Sequence, residues 1–239
     1  MGRVFLVRHA QASFLEPDYD KLSATGEAQA RVLGEYWARH KIVFDRICTG
    51  PRRRHRDTER AVREICAEHG LNCPNAVVFD EFDEFQGDLV LEKSLAHLCE
   101  TDSHIRDLEN AVRNANSPPQ RRRNFQKLFE TVVTMWVSGQ LAVDGVESWA
   151  SFIARVNRGL SRFLLPASKN ETCAIFTSGG PVAVSVQRAL QLSPQHTLQV
   201  AWMPRNCSYS EFLFSGDRFT LSTFNSFQHL DDPTLVTYR

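Results

Sequence analysis

Short apolar runs alternate along this chain with longer amphipathic stretches, and that alternation constrains the fold more than any other property. Residues 3–7, 42–48, 75–79 and 172–176 are predicted as strands, the first built on the buried-type run Val4-Phe5-Leu6-Val7. Helical patterns lie between them. One runs from Thr25 toward Arg39, with Ser23 placed to cap it and Ala28, Val32, Leu33, Tyr36 and Trp37 along one face. A second follows the turn at Gly50-Pro51 and continues to Glu68, and Gly70 ends it at a position that favours glycine. Residues 147–165 carry Trp149, Phe152, Val156, Leu160 and Phe163 at helical spacing, and Pro181 opens a helix to Leu190. Residues 11–22 are polar and broken by Pro17, the pattern of a loop. Residues 198–203, 208–214 and 218–224 are predicted as closing strands, the last two joined by a hairpin turn at Ser215-Gly216-Asp217. The expected architecture is α/β: a three-layer α/β/α sandwich with a mostly parallel central sheet and antiparallel closing strands.

Composition narrows the partners. Lys plus Arg and Asp plus Glu both number 28, so no global field recruits nucleic acid or an acidic membrane. The six cysteines, at 48, 66, 73, 99, 173 and 207, include no C-x-x-C pair and no zinc spacing. Several sit in apolar runs and read as small buried hydrophobes of a reducing compartment. No leader pattern precedes the first strand, and no apolar run approaches the ~20 residues that span a bilayer. The expected location is cytoplasmic.

The strand ends carry the chemistry. Strand one delivers Arg8-His9, the second leads into Gly50-Pro51-Arg52-Arg53-Arg54-His55-Arg56, and the third into Asp80-Glu81-Phe82-Asp83-Glu84. The fourth ends in Thr177-Ser178-Gly179-Gly180. Ligands of open α/β sheets bind beyond the carboxyl ends of the strands. A histidine, arginines and carboxylates on that edge suffice for metal-free phosphoryl transfer. The imidazole attacks phosphorus, guanidiniums spread the charge of the equatorial oxygens, and a carboxylic acid protonates the leaving oxygen. The arginine run at 51–56 also has the composition of a nucleic-acid or import patch, but the balanced charge and the position after a strand argue against it.

These motifs resemble those of the histidine phosphatase, or phosphoglycerate-mutase-like, superfamily. Leu6-Val7-Arg8-His9-Ala10 resembles its R-H-G signature, with alanine for glycine. Leu22-Ser23-Ala24-Thr25-Gly26-Glu27-Ala28-Gln29-Ala30 resembles L-T-x-x-G-x-x-Q-A. Gly50-Pro51-Arg52-Arg53-Arg54 resembles S-P-x-x-R, and Arg56-Asp57-Thr58 the R-Q-T that continues it. The resemblance implies a phosphohistidine on His9, a phosphate clamp of Arg8 and Arg54, and an acid at Glu81 from the pattern L-x-E, with Glu84 as runner-up. It departs at Ser178, where the family usually has the histidine of S-H-G-G. Losing a charged donor there costs on the order of 3 kcal/mol, or ~100-fold in rate. The Ser178 hydroxyl and the backbone N–H of Gly179 at a helix start remain as donors to the substrate. His55 and His229 are read as surface or satisfied histidines.

The implied activity is that of a histidine-type acid phosphatase acting on a phosphomonoester, of reduced activity if serine replaces histidine only in part. The alternatives are a phosphoglycerate-type mutase and a phospho-ligand binding or scaffold protein with a degenerate site. The expected partner is a small phosphorylated substrate, with no cofactor, metal, nucleic acid or membrane, and the oligomeric state is left open. Residues 87–140 are helical in period, broken at Ser117-Pro118-Pro119, with Arg121-Arg122-Arg123 opening the next helix. They are read as a helical insertion beside the active site, within a single domain spanning 1–239.

Overall fold

The computed structural model describes residues 1–13, 20–165, 167 and 170–238, so Pro17 and half of the predicted loop over 11–22 lie outside the described residues. Six strands among the described residues form one sheet: β1 (Gly2–Arg8), β2 (Arg46–Thr49), β3 (Val77–Val78), β4 (Thr172–Thr177), β5 (Tyr209–Ser215) and β6 (Arg218–Ser226). Their order is β3-β2-β4-β1-β5-β6. β1 lies parallel to β4, with Arg8 opposite Thr177, and antiparallel to β5. β2 is parallel to both β4 and β3, and β5 and β6 form the predicted hairpin, turned at Gly216 with φ +57°.

β1 is apolar from Val4 to Val7 because both its faces are covered there. Side chains alternate across a strand, so Phe5 and Val7 face one way and Val4 and Leu6 the other, and all four are buried. Phe5 and Val7 join Ala174, Phe176 and Ile47 in a cluster with Ala30, Leu33 and Trp37 of α1 (Ala24–Arg39) and Val62 and Cys66 of α2 (Arg53–Glu68). Trp37 makes edge contacts there with Phe5, Phe44 and Phe176. α7 (Gly179–Leu190) packs against β1 and β6 and contributes nothing to the Trp37 cluster, so it covers the opposite face. All six cysteines are free thiols, and Cys48, Cys66, Cys173 and Cys207 are buried. No helix among the described residues is long and apolar enough to cross a membrane.

Three predicted elements differ. Residues 198–203 are not a strand but the end of α8 (Pro194–Ala201), whose start is fixed by Ser193 accepting from the His196 N–H and by Pro194 in the first turn. The third strand shrinks to two exposed edge residues. α7 begins two residues before Pro181, which costs nothing because the first four N–H groups of a helix have no intrahelical partner.

Packing divides the chain into two compact units, Met1–Glu84 with Ile153–Arg239, and Phe85–Phe152. The residues read as a helical insertion, 87–140, fall inside the second unit, which is longer at both ends. Its helices are α3 (Gly87–Thr101), α4 (Ser103–Arg113) and α5 (Pro118–Val137), with Asp102 capping α4 and Ser117 capping α5. Phe85, Trp136, Trp149 and Phe152 form an aromatic cluster in it, the last two from the start of α6 (Trp149–Leu164).

The stretch 22–30 serves to hold the chain that follows β1. Ser23 accepts from the Gly26 N–H at 3.1 Å. A Cβ on Gly26 would stand 2.1 Å from the Gln11 carbonyl oxygen, so the approach requires glycine. Gln29 is fully buried; its Oε1 accepts from the Gln11 N–H at 2.9 Å, and its Nε2 donates to the Leu235 carbonyl at 2.7 Å. Alanine in place of glycine normally favours a helix, but here the overlap is with backbone. Gly26→Ala is expected to destabilise the protein by about 2–3 kcal/mol, read as a lower urea midpoint; an unchanged or higher midpoint would contradict the close approach.

Candidate active site

His9 leaves β1 pinned on both main-chain sides. Its N–H donates to the Thr177 carbonyl at 2.7 Å, and its carbonyl accepts from Cys207 N–H at 3.1 Å and Asn206 Nδ2 at 3.4 Å. Asn206 is held in turn by Thr237, whose hydroxyl donates to Asn206 Oδ1 at 3.0 Å and whose carbonyl accepts the Asn206 N–H at 3.0 Å. The His9 Nδ1 lies 2.7 Å from the Ala10 carbonyl oxygen. A carbonyl only accepts, so Nδ1 carries the proton and Nε2 keeps its lone pair. Burial, then the charges of Arg54 and Arg8 and the neighbouring His55, push the imidazole well below the ordinary histidine range. His9 is therefore neutral at physiological pH.

Two guanidiniums flank it. Arg8 donates to the Pro204 carbonyl. Arg54, in the first turn of α2, is buried, and its Nη1 donates to Asp20 Oδ1 at 2.7 Å. The other Asp20 oxygen accepts the Arg53 N–H at 2.7 Å, capping a helix whose own N-cap, Arg52, makes no side-chain cap. Thr58 ties α2 to the site: its hydroxyl accepts from Ala10 N–H at 3.0 Å and donates to the Arg54 carbonyl at 2.7 Å.

His55 and Ser178 meet in the same place. His55 is fully buried, its ring centroid is 5.7 Å from that of His9, and its Nε2 is 2.7 Å from Ser178 Oγ. Ser178 occupies the N-cap position of α7 yet makes no side-chain bond to that helix. A Cβ on Gly50 would stand 2.4 Å from His55 Nδ1, so the ring fills the space that a side chain at position 50 needs. Gly179 is likewise confined, with a Cβ there 2.8 Å from the Ala201 carbonyl oxygen. His55 is thus a site residue that sequence reasoning set aside. The signal was available: Gly50 and Ser178 both lie in strand-end stretches that the resemblance singled out, and both meet this ring. His229 belongs instead to the core, with its ring against Tyr209 and Tyr36, and burial lowers it to about 4.

The carboxylates separate. Residues 80–84 are fixed by Arg155, whose Nη1 donates to the carbonyls of Asp80, Glu81 and Asp83, and by Thr177, whose hydroxyl donates to the Phe82 carbonyl at 2.7 Å. Glu81, expected as the acid, turns to Arg162 on α6 and accepts from its Nη1 at 2.9 Å. Burial pushes the Glu81 carboxyl up, but its own backbone N–H and the Arg162 and Arg158 charges outweigh this and hold it below the usual range. That is the wrong direction for an acid. Glu84 goes the other way, accepting the Gly180 N–H at the start of α7 at 3.1 Å and 3.3 Å. The 3-10 turn Asp80–Phe82 ends in extended backbone at Asp83, which sends the two side chains apart. Among the described residues, no group of three or more His, Cys, Asp or Glu side chains is arranged to hold a metal ion.

The sequence profile of the histidine phosphatase superfamily (branch 1) matches residues 4–120 and 93–226. No curated protein matches the chain by sequence. Among solved structures, the chain is similar to Bacillus stearothermophilus YhfR, with TM-score 0.66 and 15% identity over 97% of this chain and 100% of that one. It is also similar to phosphoserine phosphatase from Entamoeba histolytica in complex with 3-phosphoglyceric acid (TM-score 0.62, 16% identity, 96% and 100% covered). A third is phosphoglycerate mutase from Bacillus anthracis (TM-score 0.62, 13% identity, 95% and 94% covered). At these identities the likeness is one of fold.

Burial holds His9, His55 and His229 neutral in the folded chain, whereas the unfolded chain protonates them below its ordinary value of about 6.5. The unfolded state then binds more protons, so stability is complete above that value and falls as pH drops toward the folded-state values. His229, at about 4 in the folded chain, alone gives a loss of about 3 kcal/mol between pH 7 and pH 4. Urea midpoints measured over this range are expected to fall, and less steeply for His229→Phe; equal slopes in the two proteins would refute the assignment.

Proposed function

The chain belongs to the histidine phosphatase superfamily, and we propose that it hydrolyses a phosphomonoester through a phosphohistidine on His9, without a metal. The observation that carries this reading is the His9 ring itself. With Nδ1 bonded to the Ala10 carbonyl, the Nε2 lone pair is free, in a neutral imidazole beside two arginines. Arg8 and Arg54 form the clamp, since a planar guanidinium meets phosphate oxygens two at a time and stays charged. A dianionic phosphoryl group competes with Asp20 for Arg54 Nη1.

In the first step Nε2 of His9 bonds to phosphorus as the bond to the ester oxygen breaks. The leaving oxygen takes a proton from a carboxylic acid. We assign this acid to Glu84, which accepts the Gly180 N–H at the start of α7, rather than to Glu81, which is engaged with Arg162. In the second step water attacks phosphorus and gives its proton to the Glu84 carboxylate. The phosphorus–nitrogen bond breaks, phosphate leaves, and the His9 lone pair is restored. Ser178 and the Gly179 N–H serve as the remaining donors to the phosphoryl oxygens where the family usually has a histidine. The named phosphatase and mutase among the similar structures support the substrate class, a small phosphomonoester.

A panel of phosphomonoesters is expected to show hydrolysis that survives EDTA, is blocked by vanadate and is absent from His9→Ala; turnover by that variant would end the phosphohistidine reading. A mutase would instead interconvert phosphoglycerates, and a binding protein would retain esters without turnover. The acid assignment has its own check. Glu84→Gln is expected to lose ~100-fold in kcat on alkyl phosphates, and far less on p-nitrophenyl phosphate, whose leaving group needs no proton. Glu81→Gln is expected to stay within about threefold of the wild type on both. The reverse ranking would return the role to Glu81.

A further inference from the structure

Ser178 stands where a serine ordinarily turns its oxygen onto its own helix, and it does not do so. Its Oγ is engaged by His55 Nε2 at 2.7 Å, and both side chains are fully buried. Two buried polar groups held together next to a nucleophile require an account, since burial of such groups is costly unless each hydrogen bond has a use.

Burial, then the charges of Arg54 and Arg52, outweigh a hydrogen bond to the Gly50 backbone and keep the His55 ring neutral, so it carries one proton. That proton serves either the Gly50 backbone or Ser178, and what Ser178 meets decides which. A phosphoryl oxygen only accepts, so a serine that donates to one has no proton left for the ring, and the ring then donates to Oγ from Nε2. The pair lies close to His9, with the His9 and His55 centroids 5.7 Å apart. A Cβ on Gly50 would stand 2.4 Å from His55 Nδ1, so the ring keeps its place only beside glycine.

We propose that His55 is the positioning residue of Ser178: its Nε2–H holds the serine oxygen so that the hydroxyl proton is donated to an oxygen of the phosphoryl group on His9. The proposal rests on the phosphohistidine reading above and adds to it a residue from a different helix. A donor that depends on two side chains behaves as one unit. His55 never touches the substrate, and Ser178 without His55 is a hydroxyl free to turn back onto α7. Gly50 is part of the same device, since any side chain there displaces the ring.

A double-mutant cycle tests this, read on kcat and on vanadate affinity so that no particular substrate is needed. His55→Leu and Ser178→Ala are each expected to lose roughly 100-fold, and the double variant about the same 100-fold rather than the product of the two. His55→Gln keeps an N–H at the reach of Nε2 and is expected to stay within about tenfold of the wild type. Should His55→Leu not fold by circular dichroism, His55→Asn, smaller and too short to reach Ser178, takes its place in the cycle. Losses that multiply, or a Gln variant no better than Leu, overturn the relay while an inert His9→Ala leaves the phosphohistidine reading standing. Turnover by His9→Ala with an inert Ser178→Ala would overturn both, because serine would then be the nucleophile and His55 its base.

Discussion

The main chain of His9 is bonded to two strands at once, to the end of β4 through Thr177 and to the approach of β5 through Cys207, and the site is organised around that fixture. It is possible only because β1 runs through the middle of the sheet, parallel to one neighbour and antiparallel to the other. The apolar run before His9 is covered on both faces, so the strand cannot shift register without moving its whole buried set to the wrong side. A side chain on a mobile loop would lose its alignment with the arginines. Here the imidazole leaves a rigid strand, and Thr58, Gln29 and Asn206 fasten the residues around it. α2 then brings Arg54 and His55 from one helical turn, and α7 brings Ser178 from its cap.

Much of this was legible in the sequence wherever the cause was local. The Ser23 cap and the glycine that ends α2 are properties of a few adjacent residues, and the structure reproduces them. The buried face of α1 is turned from the predicted one: Leu33 and Trp37 are on it, but Ala28, Val32 and Tyr36 are half-buried, and Gly26, Gln29, Ala30 and Gly34 take their place because close backbone approach and the Gln29 hydrogen bonds decide it. Residues 198–203 were misread because Leu198, Val200 and Trp202 alternate like a strand, while the stronger signal, Ser193-Pro194 as a helix start, lies just outside that window. The choice between Glu81 and Glu84 was not legible. Phe79-Asp80-Glu81 and Phe82-Asp83-Glu84 are the same pattern twice. What separates them is Arg155 gathering the carbonyls, Thr177 holding Phe82, and Arg162 waiting on α6. None of these partners is near in sequence. His55 was hidden differently: Ser178 was read only as a lost donor, and it takes Gly50 beside it to outline a ring.

The charge of the site is also a tertiary property. The chain as a whole is balanced, yet a buried guanidinium stands beside two imidazoles that burial and nearby arginines keep neutral. A buried cation without a counter-charge is strongly destabilising. Asp20 supplies it, with one oxygen on Arg54 and the other on the first N–H of α2. The same carboxylate therefore balances the Arg54 charge and sets the helix that carries it.

The links from Gln29 to Leu235 and from Asn206 to Thr237 have a consequence for how the protein folds. The His9 carbonyl is held by Asn206, which is itself held by Thr237. The Gln29 side chain that fixes the Gln11 backbone also bonds residues 235 and 237. Such contacts between distant parts of the chain form late, after the entropy of closing a very large loop has been overcome. The sheet and its helices can thus assemble before the surroundings of His9 are fixed, and the docking of residues 235–237 completes that frame.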